Sequence, residues 1–394
     1  MITDVIKLGN KGDGTVIVDG AEYFVPYVID GEQVEIEIDN NGGNHARLKK
    51  IVVPSKKRIA PLCPLFGVCG ACKLQHLGNY EEFKTASFLK TIAPVINDAV
   101  DVMPMNFIIG NVRRRALLKV DNGAVGFFKE KSNTVVPVSY CPLLKDAINA
   151  FIKDLRLPPI TADLTVTLTT NGLDVDIKGK QTIPPVMHKT LARECRKAIR
   201  LTVDGVTVSE KEKPYMIFGK TAVRFPVGSF LQPSEEGEKT LLGIVKKLLP
   251  ADGKRIADIF CGMGTFTFPL AEAAKEVIGF EAATFGVRAV NTAKCNNVRA
   301  YERDLFKNPL TAAELDRFDA VLMDPPRDGA IAQSRMLKKT AKIKQIVYIS
   351  CNPATFTRDA KEIIVGGFAL KTVAPVDQFR YTPHTELVAD FRRI

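Results

Sequence analysis

No apolar run in this chain approaches the roughly 18 residues that a membrane span requires, and the opening MITDVIKLGNKGDG lacks the basic start and apolar stretch of a secretion signal. Both absences lead us to expect a cytoplasmic protein with no membrane partner. Internal repeats and low-complexity tracts are missing too. Cysteine is too sparse for a disulfide scaffold: eight thiols in 394 residues, in a compartment that keeps them reduced, point instead to metal binding or catalysis. Acidic residues are outnumbered, 44 against 55 basic ones, and the net charge of +11 creates a field that attracts polyanions. The basic excess lies beyond residue 53. Lys56-Lys57-Arg58 and Arg113-Arg114-Arg115 are its densest clusters and suit phosphate contacts, whereas acids outnumber bases in residues 1–53.

The length suits two or three domains. Residues 1–53 alternate apolar and polar positions between Gly and Asp-Gly turns (TVIVDGAEYFVPYVIDGEQVEIEI), the pattern of short strands in a small barrel. Residues 54–215 mix short strands and helices, giving a central α+β domain. From 216 to 394 apolar runs (RIADIF, EVIGFE, FDAVLMD, IKQIVYIS) alternate with helical segments, which predicts an α/β, doubly wound, Rossmann-like domain.

In RIADIFCGMGTFTFPLA an apolar strand runs into a glycine turn and a helix start, with the spacing Gly262-x-Gly264. Such a turn lets backbone approach a ligand at the carboxyl end of a parallel strand. The next strand ends in Glu281, suited to the two hydroxyls of a ribose, and ERDLF places Asp304 at a third strand end, suited to an adenine amino group. Their order points to a nucleoside cofactor and looks like a class I S-adenosylmethionine methyltransferase.

Two further strand ends carry candidate chemistry. FDAVLMDPPRDGA stops at Asp324, with Pro325 and Pro326 stiffening the loop, and IKQIVYISCNP stops at Cys351 with Pro353 fixing the turn. A thiol serves methylation at carbon 5 of a pyrimidine, which is too weak a nucleophile by itself. Thiolate addition at carbon 6 makes carbon 5 carbanion-like, and a base then removes its proton so that the thiol can leave. Glu386 in HTELVADF is the candidate base. An amino-group methyltransferase would follow Asp-Pro-Pro with an aromatic residue, but Arg327 stands there. A cytosine enzyme would carry a cysteine in the motif of Asp324, and none is present. Cys261, in the glycine turn, reads as lining.

Cys63-x5-Cys69-x2-Cys72, with Cys141 further on, offers four thiolates to zinc or to a four-iron, four-sulfur cluster. The spacing does not match the C-x3-C-x2-C loop of radical enzymes, so a structural role is expected.

Together these motifs closely resemble the bacterial RNA 5-methyluridine methyltransferases, especially the 23S rRNA uracil-C5 branch, over almost the whole length. The barrel, the cysteine set, VGSFLQ, DIFCGMGTF, GFE, DPPRDGA, SCNPATFTRD and HTELVADF carry the likeness. The resemblance implies Cys351 as nucleophile and Glu386 as proton acceptor. It assigns S-adenosylmethionine contacts to Gln232, Phe260, Glu281 and Asp324, with Asp304 added and Gly262 and Gly264 shaping the turn. It further implies a 4Fe-4S cluster on Cys63, Cys69, Cys72 and Cys141, a TRAM-like, OB-fold barrel that binds RNA, and a target uridine flipped from its stack in structured RNA. A tRNA substrate and a non-catalytic RNA-binding assembly factor are the alternatives; no obligate protein partner is inferred. Thr265, where the family often has Asn, and Pro233-Ser234 after Gln232 depart from the family pattern.

Overall fold

The computed structural model describes residues 1–39 and 43–394. They form two compact units: Met1–Lys90 with Phe127–Val136 and Phe379–His384, and Thr91–Gly126 with Pro137–Gln378 and Thr385–Ile394. The expected boundaries at 53/54 and 215/216 both fall inside a unit. The reason is that distant segments return to complete each one. In the first unit the buried Lys84 donates to the carbonyls of Thr382 (3.0 Å) and His384 (2.5 Å), and the Tyr80 hydroxyl accepts from the Tyr381 amide at 2.8 Å, so residues 379–384 are fastened to the helix Tyr80–Ile92, about 300 positions earlier in the chain.

The first unit opens with two three-stranded antiparallel sheets. Ile2–Asp4, Gln33–Ile38 and Ala46–Val53 form one, and Lys7–Leu8, Gly14–Val18 and Ala21–Val25 the other. Alternation of the kind read from the sequence turns Val5, Val16, Val25, Val34 and Ile36 into a common core and leaves Glu35 and Glu37 in water.

The second unit is built on a sheet with the spatial order Val298–Glu302, Glu276–Glu281, Arg255–Ile259, Ala320–Met323, Gln345–Ser350, Glu386–Arg393 and Phe368–Asp377, with Asp101–Val102 at the far edge. The first five strands are parallel; Glu386–Arg393 runs antiparallel to both its neighbours. The fold class is thus the doubly wound α/β arrangement expected. Ala320–Met323 and Gln345–Ser350 are buried at every position, as strands covered on both faces must be. The chain winds outward in opposite directions from Arg255–Ile259 and Ala320–Met323, so a crevice opens at their carboxyl ends. The helix Glu235–Leu248 covers the sheet with Leu241 and Val245. Ser234 caps it by accepting from the Gly237 amide at 2.9 Å, and three glutamates in its first turn and two lysines in its last suit the helix dipole. A second sheet in this unit places Arg115–Asp121, Ala162–Leu168, Leu173–Gly179, Arg200–Val203 and Val206–Glu210 side by side.

Candidate active site

The strand Arg255–Ile259 ends at Phe260, whose φ of 65° lies in the left-handed region that costs a non-glycine residue energy. Amide bonds from Phe260 and Cys261 to the Phe280 carbonyl, at 2.9 and 3.2 Å, hold it there. Gly262 and Gly264 continue with φ of 56° and 93°. A Cβ on Gly264 would meet the Phe268 ring at 2.5 Å, whereas one on Gly262 would meet nothing within 4 Å. The turn is therefore packed on its inner side and open at Gly262. Glu281 fastens it from the neighbouring strand: one carboxylate oxygen accepts from the Gly262 amide at 3.0 Å and the other from Ala283 at 2.9 Å. A carboxylate has about four acceptor sites, so two remain.

Behind the turn lies Asp258, buried at the end of the same strand. Thr267 donates to one of its oxygens at 2.5 Å, and the other has no hydrogen-bond partner among the described residues. Burial, reinforced by Asp324 and Glu281, pushes this carboxyl up to about 7. An acid inside an apolar strand was the available signal for this residue, which the sequence reading quoted within its motif but gave no role.

Four side chains at the carboxyl edge form a hydrogen-bonded row. Gln232 donates to Asp324 at 3.4 Å, Gln378 donates to the Gln232 oxygen at 2.9 Å, and Gln378 also donates to Glu386 at 3.1 Å. Gln232 is set by its backbone, because Arg114 donates to its carbonyl at 3.1 Å and to that of Pro233 at 2.8 Å. Burial raises Asp324 well above the ordinary carboxylate range, and the nearby Glu386 adds to the shift. Burial likewise pushes Glu386 up to about 7, against the pull of Gln378 and Arg327. Gln378 was missed by sequence reading, and nothing in the spacing of VDQF marks it.

Cys351 sits at the neighbouring strand end, half-buried. Burial, then the charges of Glu386 and Asp324, push its thiol up to about 12, with Arg327 pulling the other way. Asn352 caps the following helix, Pro353–Val365, by accepting from the Ala354 amide, and Pro353 occupies its first turn, where a missing N–H costs nothing. Asn352 and Thr355 also donate to the Arg327 carbonyl at 3.0 and 3.1 Å, so the loop of Cys351 is tied to the loop after Asp324. Cys261, by contrast, is core: it is 6% exposed, packs where a Cβ on Gly279 would stand, and burial raises its thiol far above the usual value. Its expected place lining the site is corrected to a packing role.

Asp304 stands after the third strand, apart from this row. Its carboxylate accepts from the Phe306 and Lys307 amides at 3.1 and 3.2 Å, which together with Lys307 holds its pKa low. The turn it makes sets Phe306 against Phe260, ring centres 5.6 Å apart, an aromatic wall beside the glycine turn that the sequence reading did not foresee.

Cys63, Cys69 and Cys72 share one loop of the first unit, and Cys141 belongs to the second. Burial raises Cys69, with a contribution from Cys63. Among the described residues no group of three or more His, Cys, Asp or Glu side chains is gathered closely enough to hold a metal ion. No helix among the described residues is long and apolar enough to cross a membrane.

The family model for tRNA (uracil-5-)-methyltransferases matches residues 186–389, just over half of the chain. An RNA methyltransferase of Caulobacter vibrioides is 34% identical over 98% of this chain and 98% of its own. A 23S rRNA (uracil(1939)-C(5))-methyltransferase of Pseudomonas syringae pv. tomato is 31% identical over 98% of this chain and 92% of its own. In fold, the chain is similar to a Pyrococcus abyssi tRNA (uracil-54, C5)-methyltransferase crystallised with S-adenosyl-L-homocysteine: TM-score 0.72, 23% identity, 99% of both chains covered.

Proposed function

Because the chain belongs to the tRNA (uracil-5-)-methyltransferase family of RNA methyltransferases, we propose that it makes 5-methyluridine in RNA through a transient bond between Cys351 and the pyrimidine. The single observation that carries this reading is the company of Cys351: a thiol at a strand end, within electrostatic reach of two buried carboxyls, Asp324 and Glu386, on the same sheet edge as the glycine turn, which is open at Gly262 and two strands away.

The residues present fit S-adenosylmethionine. Glu281 has spare acceptor sites for ribose hydroxyls, the open face at Gly262 admits a close approach, Phe260 offers an apolar wall, and Gln232 and Asp324 supply polar groups further along the crevice. When bound, it would supply an electrophilic methyl group on a cationic sulfur. The acidic surroundings suit that charge.

Cys351, its proton lost to water, adds as the thiolate to carbon 6 of the uracil; carbon 5 becomes electron-rich and accepts the methyl, and Glu386 then takes the carbon 5 proton as the carbon 6–sulfur bond breaks and the thiolate leaves. Glu386 suits that role because a base with a pKa near 7 combines a deprotonated fraction with useful basicity. A target base must leave its stack to reach a recessed thiol.

The proposed substrate is 23S rRNA, as acted on by the Pseudomonas relative; a tRNA substrate is the second reading, favoured by the description of the family model. The barrel of residues 1–53 is proposed to help hold structured RNA. Cys63, Cys69, Cys72 and Cys141 are proposed as ligands of a four-iron, four-sulfur cluster, a reading supported by the family resemblance, since their spacing suits zinc equally, and tested by iron, zinc and sulfide analysis of protein purified without air. Mass-spectrometric mapping of nucleosides in rRNA and tRNA from a deletion strain decides the substrate. One lost 5-methyluridine, restored by the wild-type gene and not by Cys351→Ala, is the expected outcome; unchanged maps in both RNA classes, or restoration by Cys351→Ala, reject the proposal.

A further inference from the structure

Gln378 follows the strand Phe368–Asp377 directly and is 1% exposed. It meets two acceptors at once, Gln232 at 2.9 Å and Glu386 at 3.1 Å, through a single amide nitrogen. In its ionised form the Glu386 carboxylate can only accept, and Gln378 turns its NH2 group toward it. The same NH2 carries a second hydrogen, and this one fixes the oxygen of Gln232. With its oxygen engaged, Gln232 has only its own NH2 left to present to Asp324, 3.4 Å away.

Room for this arrangement is kept by a residue on another element. Gly237 lies in the first turn of Glu235–Leu248, where glycine costs roughly 1 kcal/mol of helix stability relative to alanine. A Cβ there would come within 2.4 Å of the Gln378 side-chain oxygen and 3.0 Å of its Cβ. The helix thus carries a glycine where a Cβ would press on Gln378 and also, at 2.6 Å, on the capping Ser234 hydroxyl.

We infer that Gln378 is a positioning residue that sets the hydrogen-bond direction of the whole row: it turns the Gln232 NH2 group toward Asp324 and the donor pocket, and it holds one Glu386 oxygen so that the other is free to take the proton. The inference rests on the proposed roles of Glu386 and of the donor crevice. The charged and titratable groups that act with Glu386 here are Asp324, Cys351 and Arg327. The Gln378 hydrogen bond favours the ionised form of Glu386, so its removal raises that carboxyl further.

The test is Gln378→Met, of similar length and without a donor. Two readouts are taken on the full chain: calorimetric binding of S-adenosylhomocysteine without RNA, and the pH dependence of covalent adduct resolution on unmethylated rRNA from the deletion strain. Loss of the fixed Gln232 orientation should weaken binding about fivefold, the equivalent of one hydrogen bond. The pH midpoint of adduct resolution should move up by about one unit. Gly237→Ala, which improves helix propensity, should move both readouts in the same direction and decides the matter should Gln378→Met not fold. Binding and pH midpoint both unchanged in a folded variant would overturn the inference. If Glu386→Gln fails to accumulate adduct, the base assignment falls by itself; binding alone then decides, and an unweakened affinity in Gln378→Met overturns the role in the row.

Discussion

Glu32 in the first unit and Glu386 in the second are almost equally hidden from water, 0% and 2% exposed, yet their acidities move in opposite directions. Burial acts upward on Glu32 too. It is outweighed by Arg58, which donates at 2.5 and 2.8 Å, and by the amides of Ile29 and Ser55, so the carboxyl ends below its ordinary value. Glu386 receives the Gln378 amide and the pull of Arg327, and burial wins. A carboxylate that serves the fold is given a cation; one left without a close cation keeps a pKa near neutrality, where it can exchange a proton. Breaking either partnership should show which of the two roles each glutamate plays.

The largest expected effect is on activity. Cys351→Ala should lower methyl transfer by at least about a thousandfold and abolish any covalent RNA species, since it removes the thiol that stands within electrostatic reach of Glu386. A covalent RNA band from that variant on a denaturing gel would contradict it. Glu386→Gln should come close in turnover but with the opposite chemical signature, an adduct that accumulates and survives denaturation.

Stability sharpens the comparison further. Glu386, raised to about 7, adds stability in full only below its unfolded value near 4.5, and that contribution is lost as pH rises toward 7. Glu386→Gln should therefore be more stable than wild type at pH 8, by about 1–3 kcal/mol, and match it only below about pH 4.5. Glu32 is lowered, so its contribution is present above about 4.5 and disappears as pH falls through its folded value. Glu32→Ala should cost about 3 kcal/mol at pH 7 by stranding Arg58, and less as pH falls below 4. Thermal or urea unfolding at the two pH values reads both, and a Glu386→Gln variant less stable than wild type at pH 8 would break the contrast.

A smaller effect concerns the thiol itself. With its pKa at about 12 in the free protein, Cys351 should alkylate slowly at pH 7.5, with a rate still climbing at pH 10. A plateau already reached near neutrality, followed by peptide mass spectrometry after iodoacetamide, would show that Arg327 outweighs the two carboxyls. Smallest of all, Asp304→Asn should change S-adenosylhomocysteine affinity by only about threefold, because that carboxylate is occupied by its own turn and Lys307.

The parts of this site that could be read from the sequence are those that obey the parallel-sheet rule, by which function gathers where apolar strands stop. Gly262, Glu281, Asp324 and Cys351 all stand at such ends, each after a run of buried residues. Glu386 was legible only through the chemistry that needs a base. Gln378 was invisible, because an amide beyond an antiparallel strand looks like any surface glutamine until Gln232 and Glu386 are seen to flank it. Unit boundaries were illegible for a different reason: the segments 127–136 and 379–384 are assigned by tertiary contacts such as those of Lys84 and Tyr80, which no local composition announces.

The most direct test is chemical. RNA containing 5-fluorouridine, isolated from the deletion strain, cannot release its carbon 5 substituent as a proton and should remain bonded to the enzyme after methyl transfer. Digestion and tandem mass spectrometry should find the methylated fluoropyrimidine on the peptide that contains Cys351. Its appearance on another residue, or methylated RNA released with no enzyme-bound nucleotide, would contradict thiol addition at carbon 6.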